Sequence, residues 1–158
     1  MAGSKKDIKN PHADIIPDKP IRIGGDPERL WGQPPSWKFF RADTIEGGRW
    51  AFNKVRLYDE FWDKIFPKLR DFETRSLNDI FVRTKKQNHG ISVSDLNKDA
   101  KDRLNELKIN TEVVYSLRLD GTSRLYGLLE GASFIILWYD DNHGDNSTCV
   151  CRSKKKHT

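Results

Sequence analysis

Apolar residues are in short supply in this chain. They make up 36% of its 158 residues, against roughly 45–50% in an average globular domain, while 32% are charged. A large core is excluded, and part of the chain is expected not to pack. Cysteine is nearly absent: Cys149 and Cys151 are separated by a single residue. That spacing reads as too short for an easy disulfide and gives no covalent framework, which fits a reducing cytosol. No run approaches the ~20 apolar residues of a membrane span, and the longest, 134–139, is strand-sized. The lysines of Met1-Ala-Gly-Ser-Lys-Lys-Asp are followed by no apolar segment, so no secretory signal is expected. These absences together give the expectation of a soluble cytoplasmic protein with no membrane partner.

What the chain does have is aromatic residues and a modest positive charge. Five Trp, eight Phe and four Tyr suffice for one small core, because each buried aromatic removes roughly 150–250 Å² from water. The net charge of +5 favours a polyanionic partner without identifying one.

Three regions follow from the patterning. Residues 1–36 hold Pro11, Pro17, Pro20, Pro27, Pro34 and Pro35 with no apolar period. They read as an extended, partly disordered arm anchored by Trp31 and Trp37. Residues 37–143 read as one α+β domain, and residues 144–158 as a basic tail. Within the domain, Val55, Tyr58, Phe61, Trp62, Ile65, Phe66 and Leu69 keep helical spacing, with Asn53 as N-cap; the helix either ends at Phe66 or kinks at Pro67 and runs to Phe72. A short helix is expected from Ser76, with Leu77, Ile80 and Phe81 inward. A polar basic loop over 83–90 contains Lys85, Lys86, Asn88 and His89. Ser94 is expected to cap a further helix carrying Leu96, Ala100, Leu104 and Leu107 on one face. The period then becomes two, predicting strands at 113–119, 123–129 and 132–139 joined by Asp120-Gly121 and Glu130-Gly131. The fold class expected is α+β: the arm, then two to three helices on one face of a C-terminal antiparallel meander.

The chemistry concentrates around the first of these turns. Arg118 and Arg124 flank it, and they share a sheet face only if the connecting loop has an odd number of residues; a three-residue loop ending in Gly121 would pair Arg118 with Thr122 and Ser116 with Arg124. Two guanidiniums on one face form a fork for phosphate and would stabilise a pentavalent phosphoryl transition state. Alternatively they simply solvate an open sheet face. His143, His89 and His157 are, in that order, candidates for an acid or base. Tyr126 and Trp138 could stack a nucleobase or be ordinary sheet packing. Arg152 with Lys154, Lys155 and Lys156 could grip phosphates or be a solvated tail. His143, Cys149, Cys151 and His157 are all metal-ligand types, but Cys-x-Cys is not the spacing of zinc knuckles, and no metal or cofactor is expected.

The run Leu117-Arg-Leu-Asp-Gly-Thr-Ser-Arg-Leu-Tyr126, followed by the apolar strand leading to Asp140-Asp-Asn-His143, resembles the terminal strands of RelE- and HigB-type toxins of the RelE/ParE toxin–antitoxin superfamily. The 96–104 helix fits their helix-before-sheet layout, and the resemblance spans about residues 54–143. It implies a metal-independent endoribonuclease that cuts mRNA, usually on the ribosome, and is held inactive by an antitoxin. Arg118 and Arg124 would bind and polarise the scissile phosphate, with His143 or Tyr139 as the C-terminal base or stacking group. Lys85, Lys86, Asn88 and the lysine tail would hold RNA. The same fold also carries gyrase-poisoning members, so a binding protein without cleavage, whether gyrase-type inhibitor or RNA-binding module, is the alternative. The chain continues past His143, where many members of the family stop.

Overall fold

A computed structural model describes residues 27–144 and 148–151. At its centre is a five-stranded mixed sheet in the order β1-β5-β4-β3-β2. The chain runs through a short helix, α1 (Pro27–Trp31), and the edge strand β1 (Ser36–Lys38). It continues through a wide helical segment, Leu57–Ile65, into α2 (Phe66–Phe72), and then a second wide turn, Asp79–Arg83. After these come β2 (His89–Ser92), α3 (Lys98–Glu106), β3 (Val113–Arg118), β4 (Arg124–Glu130) and β5 (Ser133–Asp140). Among the described residues no helix is long and apolar enough to cross a membrane.

The three predicted meander strands form as expected, each pairing antiparallel with the next. The sheet as a whole is not antiparallel. β1 lies parallel to β5, with Trp37 opposite Phe134, and β2 adds an antiparallel edge beside β3. So two short strands arise where the sequence suggested arm and loop. Neither runs beyond four residues, too short for an alternating pattern to emerge.

A second correction concerns the layers. Helices cover both faces of the sheet, not one. On one side Ile65, Leu69, Phe72, Leu77, Ile80 and Phe81 pack on Leu117, Leu125, Phe134, Ile136 and Tyr139. On the other, Leu96, Ala100 and Leu104 of the α3 region pack with Trp50 and Val150 on Val114, Tyr126, Leu128, Ile135, Leu137 and Trp138. The helices also start differently from the sequence reading. Tyr58, Trp62 and Phe66 point outward, because the turns before Pro67 are π-helical. In such turns successive side chains at i, i+4 stay nearly in line, so 61, 65 and 69 face the core while 58, 62 and 66 face away. The wider turn also relieves the clash between the proline ring and the preceding carbonyl. Arg56, not Asn53, is the N-cap residue; Asn53 Nδ2 instead donates to the Thr44 carbonyl. For α3 the cap is Asn97, whose side chain accepts from the Asp99 N–H, because Ser94 lies in a separate 3₁₀ turn and Leu96 is drawn into a bridge with Cys151.

One glycine is indispensable to the sheet. β4 and β5 slip register between Tyr126 and Gly127, and a Cβ at Gly127 would collide with the Ile135 carbonyl and lie 2.6 Å from Phe134 Cε1. Backbone cannot yield as a flexible side chain can. Gly127→Ala is therefore expected to destabilise the fold by about 2–3 kcal/mol through overpacking, read as a lowered urea midpoint; an unchanged midpoint would show that the bulge relaxes freely.

Candidate functional site

Directly paired strand residues share a face, so the register places two rows of side chains on the α3 side of the sheet. Arg118, Arg124 and Asp140 form one row across β3, β4 and β5; His89, Ser116, Tyr126 and Trp138 form the next. The two arginines do lie on one face. They are direct cross-strand partners, and not the Arg118–Thr122 and Ser116–Arg124 pairs expected from a shorter loop. The difference comes from the loop's closure: the Leu119 and Asp120 N–H groups both donate to the Ser123 carbonyl, and Asp120 Oδ1 accepts from the N–H groups of Thr122 and Ser123, which shifts the turn forward.

Asp120 also sets the spacing of the guanidiniums. Its carbonyl accepts from Arg124 Nη1 at 2.6 Å and from Arg118 Nε at 3.3 Å, so both heads gather at one oxygen. Arg124 is almost wholly buried, and its Nη1 also donates to the Ser123 carbonyl at 3.0 Å. Burial and the neighbouring Arg118 lower its pKa, opposed by Tyr126, Asp120 and Asp140. The two guanidiniums share this corner with the carboxylates of Asp120 and Asp140, both of which act on Arg124.

His143 completes the corner. Its N–H donates to the Thr122 carbonyl at 2.8 Å, tying the segment after β5 to the arginine hairpin. Burial first, then Arg124, His89 and Arg118, hold its pKa below the ordinary histidine value. The imidazole is thus neutral at neutral pH, the form that accepts a proton. Its Nδ1 lies 3.4 Å from Tyr126 Oη, leaving Nε2 as the nitrogen for chemistry. His89, whose Nδ1 is enclosed without a hydrogen-bond partner among the described residues, is near enough to influence that ring.

The remaining sequence candidates separate. Tyr139 lies on the opposite face, buried in the helical layer with its hydroxyl donating to Ser123 Oγ, because it is one residue out of phase with Asp140. It does not reach the arginines' side of the sheet. Trp138 is fully buried, packs on Trp50 and donates from Nε1 to Asp43. Tyr126 is equally buried, and burial raises its phenol well above the usual range. Neither ring offers a face to a nucleobase. Asn88 is buried too. Its Oδ1 accepts from the Arg118 N–H at 2.8 Å and its Nδ2 donates to Thr84 Oγ1, so it fixes the loop before β2 against β3. Lys85 and Lys86 are exposed on that loop. Lys154, Lys155, Lys156 and His157 lie outside the described residues.

Two features escaped the sequence reading. Cys149 and Cys151 are joined as a disulfide, with Cα atoms 5.3 Å apart. That separation is shorter than the about 6.6–7.2 Å spanned by two extended residues and lies within the normal disulfide range. A bend, invisible in the spacing alone, brings the sulfurs together. The bend is held by Asp140, whose buried carboxylate accepts from the N–H groups of Asn142 and Val150 at 2.9 Å each; the acid preceding His143 thus folds the C-terminal segment back over the sheet. Comparison with protein-family models, curated proteins and solved structures finds no match to this chain.

Proposed function

We propose that the protein is an endoribonuclease of the RelE type, cleaving mRNA by attack of the substrate's own 2′-hydroxyl. The supporting observation is the gathering of Arg118 and Arg124 at the Asp120 carbonyl, with His143 tethered to the same hairpin. His143 Nε2 takes the 2′-hydroxyl proton, and the oxygen attacks the adjacent phosphorus. The two guanidiniums offset the charge of the phosphorane. The bond to the 5′-oxygen breaks as that oxygen takes a proton from solvent water, and the His143 imidazolium returns its proton to solvent, leaving a 2′,3′-cyclic phosphate and a 5′-hydroxyl. Lys85 and Lys86 supply phosphate contacts beside β2. In the toxin reading an antitoxin partner restrains the enzyme, and the exposed apolar ridge of Leu57, Tyr58, Trp62 and Phe66 suits protein docking.

One observation favours a second reading, RNA binding without cleavage. Two of the bonds from Arg124 go to main-chain carbonyls of its own hairpin, which is also how a purely structural arginine behaves. Incubating the full chain with ribosomes and mRNA in the presence of a chelator, then mapping new ends by primer extension, separates the two. Discrete ends that vanish in Arg118→Ala and His143→Ala support cleavage. RNA retained on the protein without new ends supports the binding reading.

A further inference from the structure

The disulfide sits against a third donor of metal-ligand type. His143 Nδ1 lies 3.6 Å from Cys149 Sγ and 3.4 Å from Cys151 Sγ, and the three atoms all fall within 4.8 Å of one another. For zinc–sulfur and zinc–nitrogen bonds of about 2.3 and 2.0–2.1 Å, a tetrahedral ion holds its nitrogen and sulfur ligands about 3.6 Å apart. Both nitrogen–sulfur spacings therefore already match a metal site. The scaffold around them is built independently of the sulfurs. Val150, between the cysteines, donates its N–H to Asp140 and accepts at its carbonyl from the Asn97 N–H at 2.9 Å. Cys151 bridges Leu96, Cys149 is fully buried, and His143 is held to Thr122. None of these contacts is made by a sulfur, so opening the sulfur–sulfur bond removes none of them; Nδ1 exchanges its 3.4 Å contact with Tyr126 Oη for the ion.

We propose that the dithiol form of this chain binds one zinc ion through the thiolates of Cys149 and Cys151 and Nδ1 of His143, with water as the fourth ligand. Thiolate and imidazole donors together select zinc over hard cations such as magnesium. The site forms when a dithiol reductant gives two electrons and two protons to the Cys149–Cys151 disulfide and is itself oxidised to a disulfide; the ion then displaces the two thiol protons. The unusual Cys-x-Cys spacing is no obstacle, because the histidine comes from the other limb of the Asp140 bend. A consequence, resting on the cleavage reading above, is regulatory. Metal at Nδ1 fixes the remaining proton on Nε2, so the zinc-bound chain lacks its base and is silent toward RNA.

Cobalt(II) titration of the reduced full-length chain, without RNA, tests the site itself. One cobalt per chain is expected, with thiolate-to-cobalt charge-transfer absorption and the intense visible bands of a tetrahedral ion, all removed by added zinc. Cys149→Ser and Cys151→Ser should each weaken the charge-transfer band. His143→Gln should weaken binding by more than the roughly 10- to 100-fold lost with an outer-sphere partner. A reduced chain without these bands, an oxidised chain that binds equally well, or unchanged affinity in His143→Gln would overturn the site. Zinc is further expected to stop RNA cleavage by the reduced chain, and a chelator to restore it; full cleavage with zinc bound would overturn the regulatory step alone. Because cobalt binding is read without RNA, the site stands or falls whether or not the chain cuts RNA.

Discussion

Arg124→Ala is expected to lower single-turnover RNA cleavage by about 10²- to 10³-fold, the usual loss when one preorganised donor to a developing oxyanion is removed. The expectation follows from where the guanidinium is held. It is buried beside Arg118, fixed by the Asp120 and Ser123 carbonyls, and so needs little reorganisation as phosphorane charge develops. Arg124→Lys should recover little, since a single ammonium cannot both bond the carbonyls and fork toward phosphate. The variant also loses hairpin bonds, so folding must be read in parallel. A chain that melts like wild type but cuts slowly supports the transition-state role. Equal losses of folded fraction and rate would assign Arg124 to the hairpin alone.

The largest expected effect on stability is at Asp43, a residue that no motif singled out. Its buried carboxylate accepts from Arg103 Nε at 2.8 Å and Arg103 Nη2 at 2.9 Å, from Trp138 Nε1 at 3.0 Å, and from the Ile45 N–H. Its main chain joins the Leu137 carbonyl to the Phe52 N–H. One residue thus ties α3, β5 and the 43–52 loop together. Asp43→Ala leaves the indole N–H unpaired and takes two charged hydrogen bonds from the Arg103 guanidinium, which keeps only Glu106 among the described carboxylates, and is expected to cost about 3–5 kcal/mol, seen as a large fall in urea midpoint. Burial pushes this carboxyl upward, but the hydrogen bonds from Arg103 and Trp138 outweigh it and hold the pKa below the usual value. A depressed folded-state pKa contributes stability that is complete above the unfolded pKa and disappears as pH falls through the folded one. Wild type should therefore lose stability on acidification below about pH 4, and Asp43→Ala should lose less over the same interval.

The meander was readable because its signals are local: alternation at 113–119, and turns at Asp120-Gly121 and Glu130-Gly131, the latter with Gly131 at φ +58°. The second helical layer left a signal too. The unbroken apolar run from Phe134 to Tyr139 is buried throughout, and such runs mark strands covered on both faces; the alternative in which Arg118 and Arg124 solvate an open sheet face missed it. Parity alone could place Arg118 and Arg124 on one side of the sheet, whereas their exact opposition depended on where Asp120 and Ser123 close the loop. His143 and Tyr139 could not be ranked from sequence, since the face of Tyr139 depends on the register of β5, whereas His143 lies beyond that strand and is placed by its main-chain bond to Thr122. The approach of Cys149 and Cys151 to His143 depends on Val150 bonding to Asp140 and Asn97, contacts no short motif encodes.

In the proposed reaction the arginine pair and His143 cut RNA through the substrate's 2′-hydroxyl. The direct measurement is the chemistry of the ends produced from a defined RNA, compared with the same RNA carrying a single 2′-deoxy nucleotide on the 5′ side of the cut. The expected result is 2′,3′-cyclic phosphate and 5′-hydroxyl ends from the first and no cut at that position in the second. Cutting of the deoxy-substituted strand at the same bond, or ends bearing a 5′-phosphate, would contradict it.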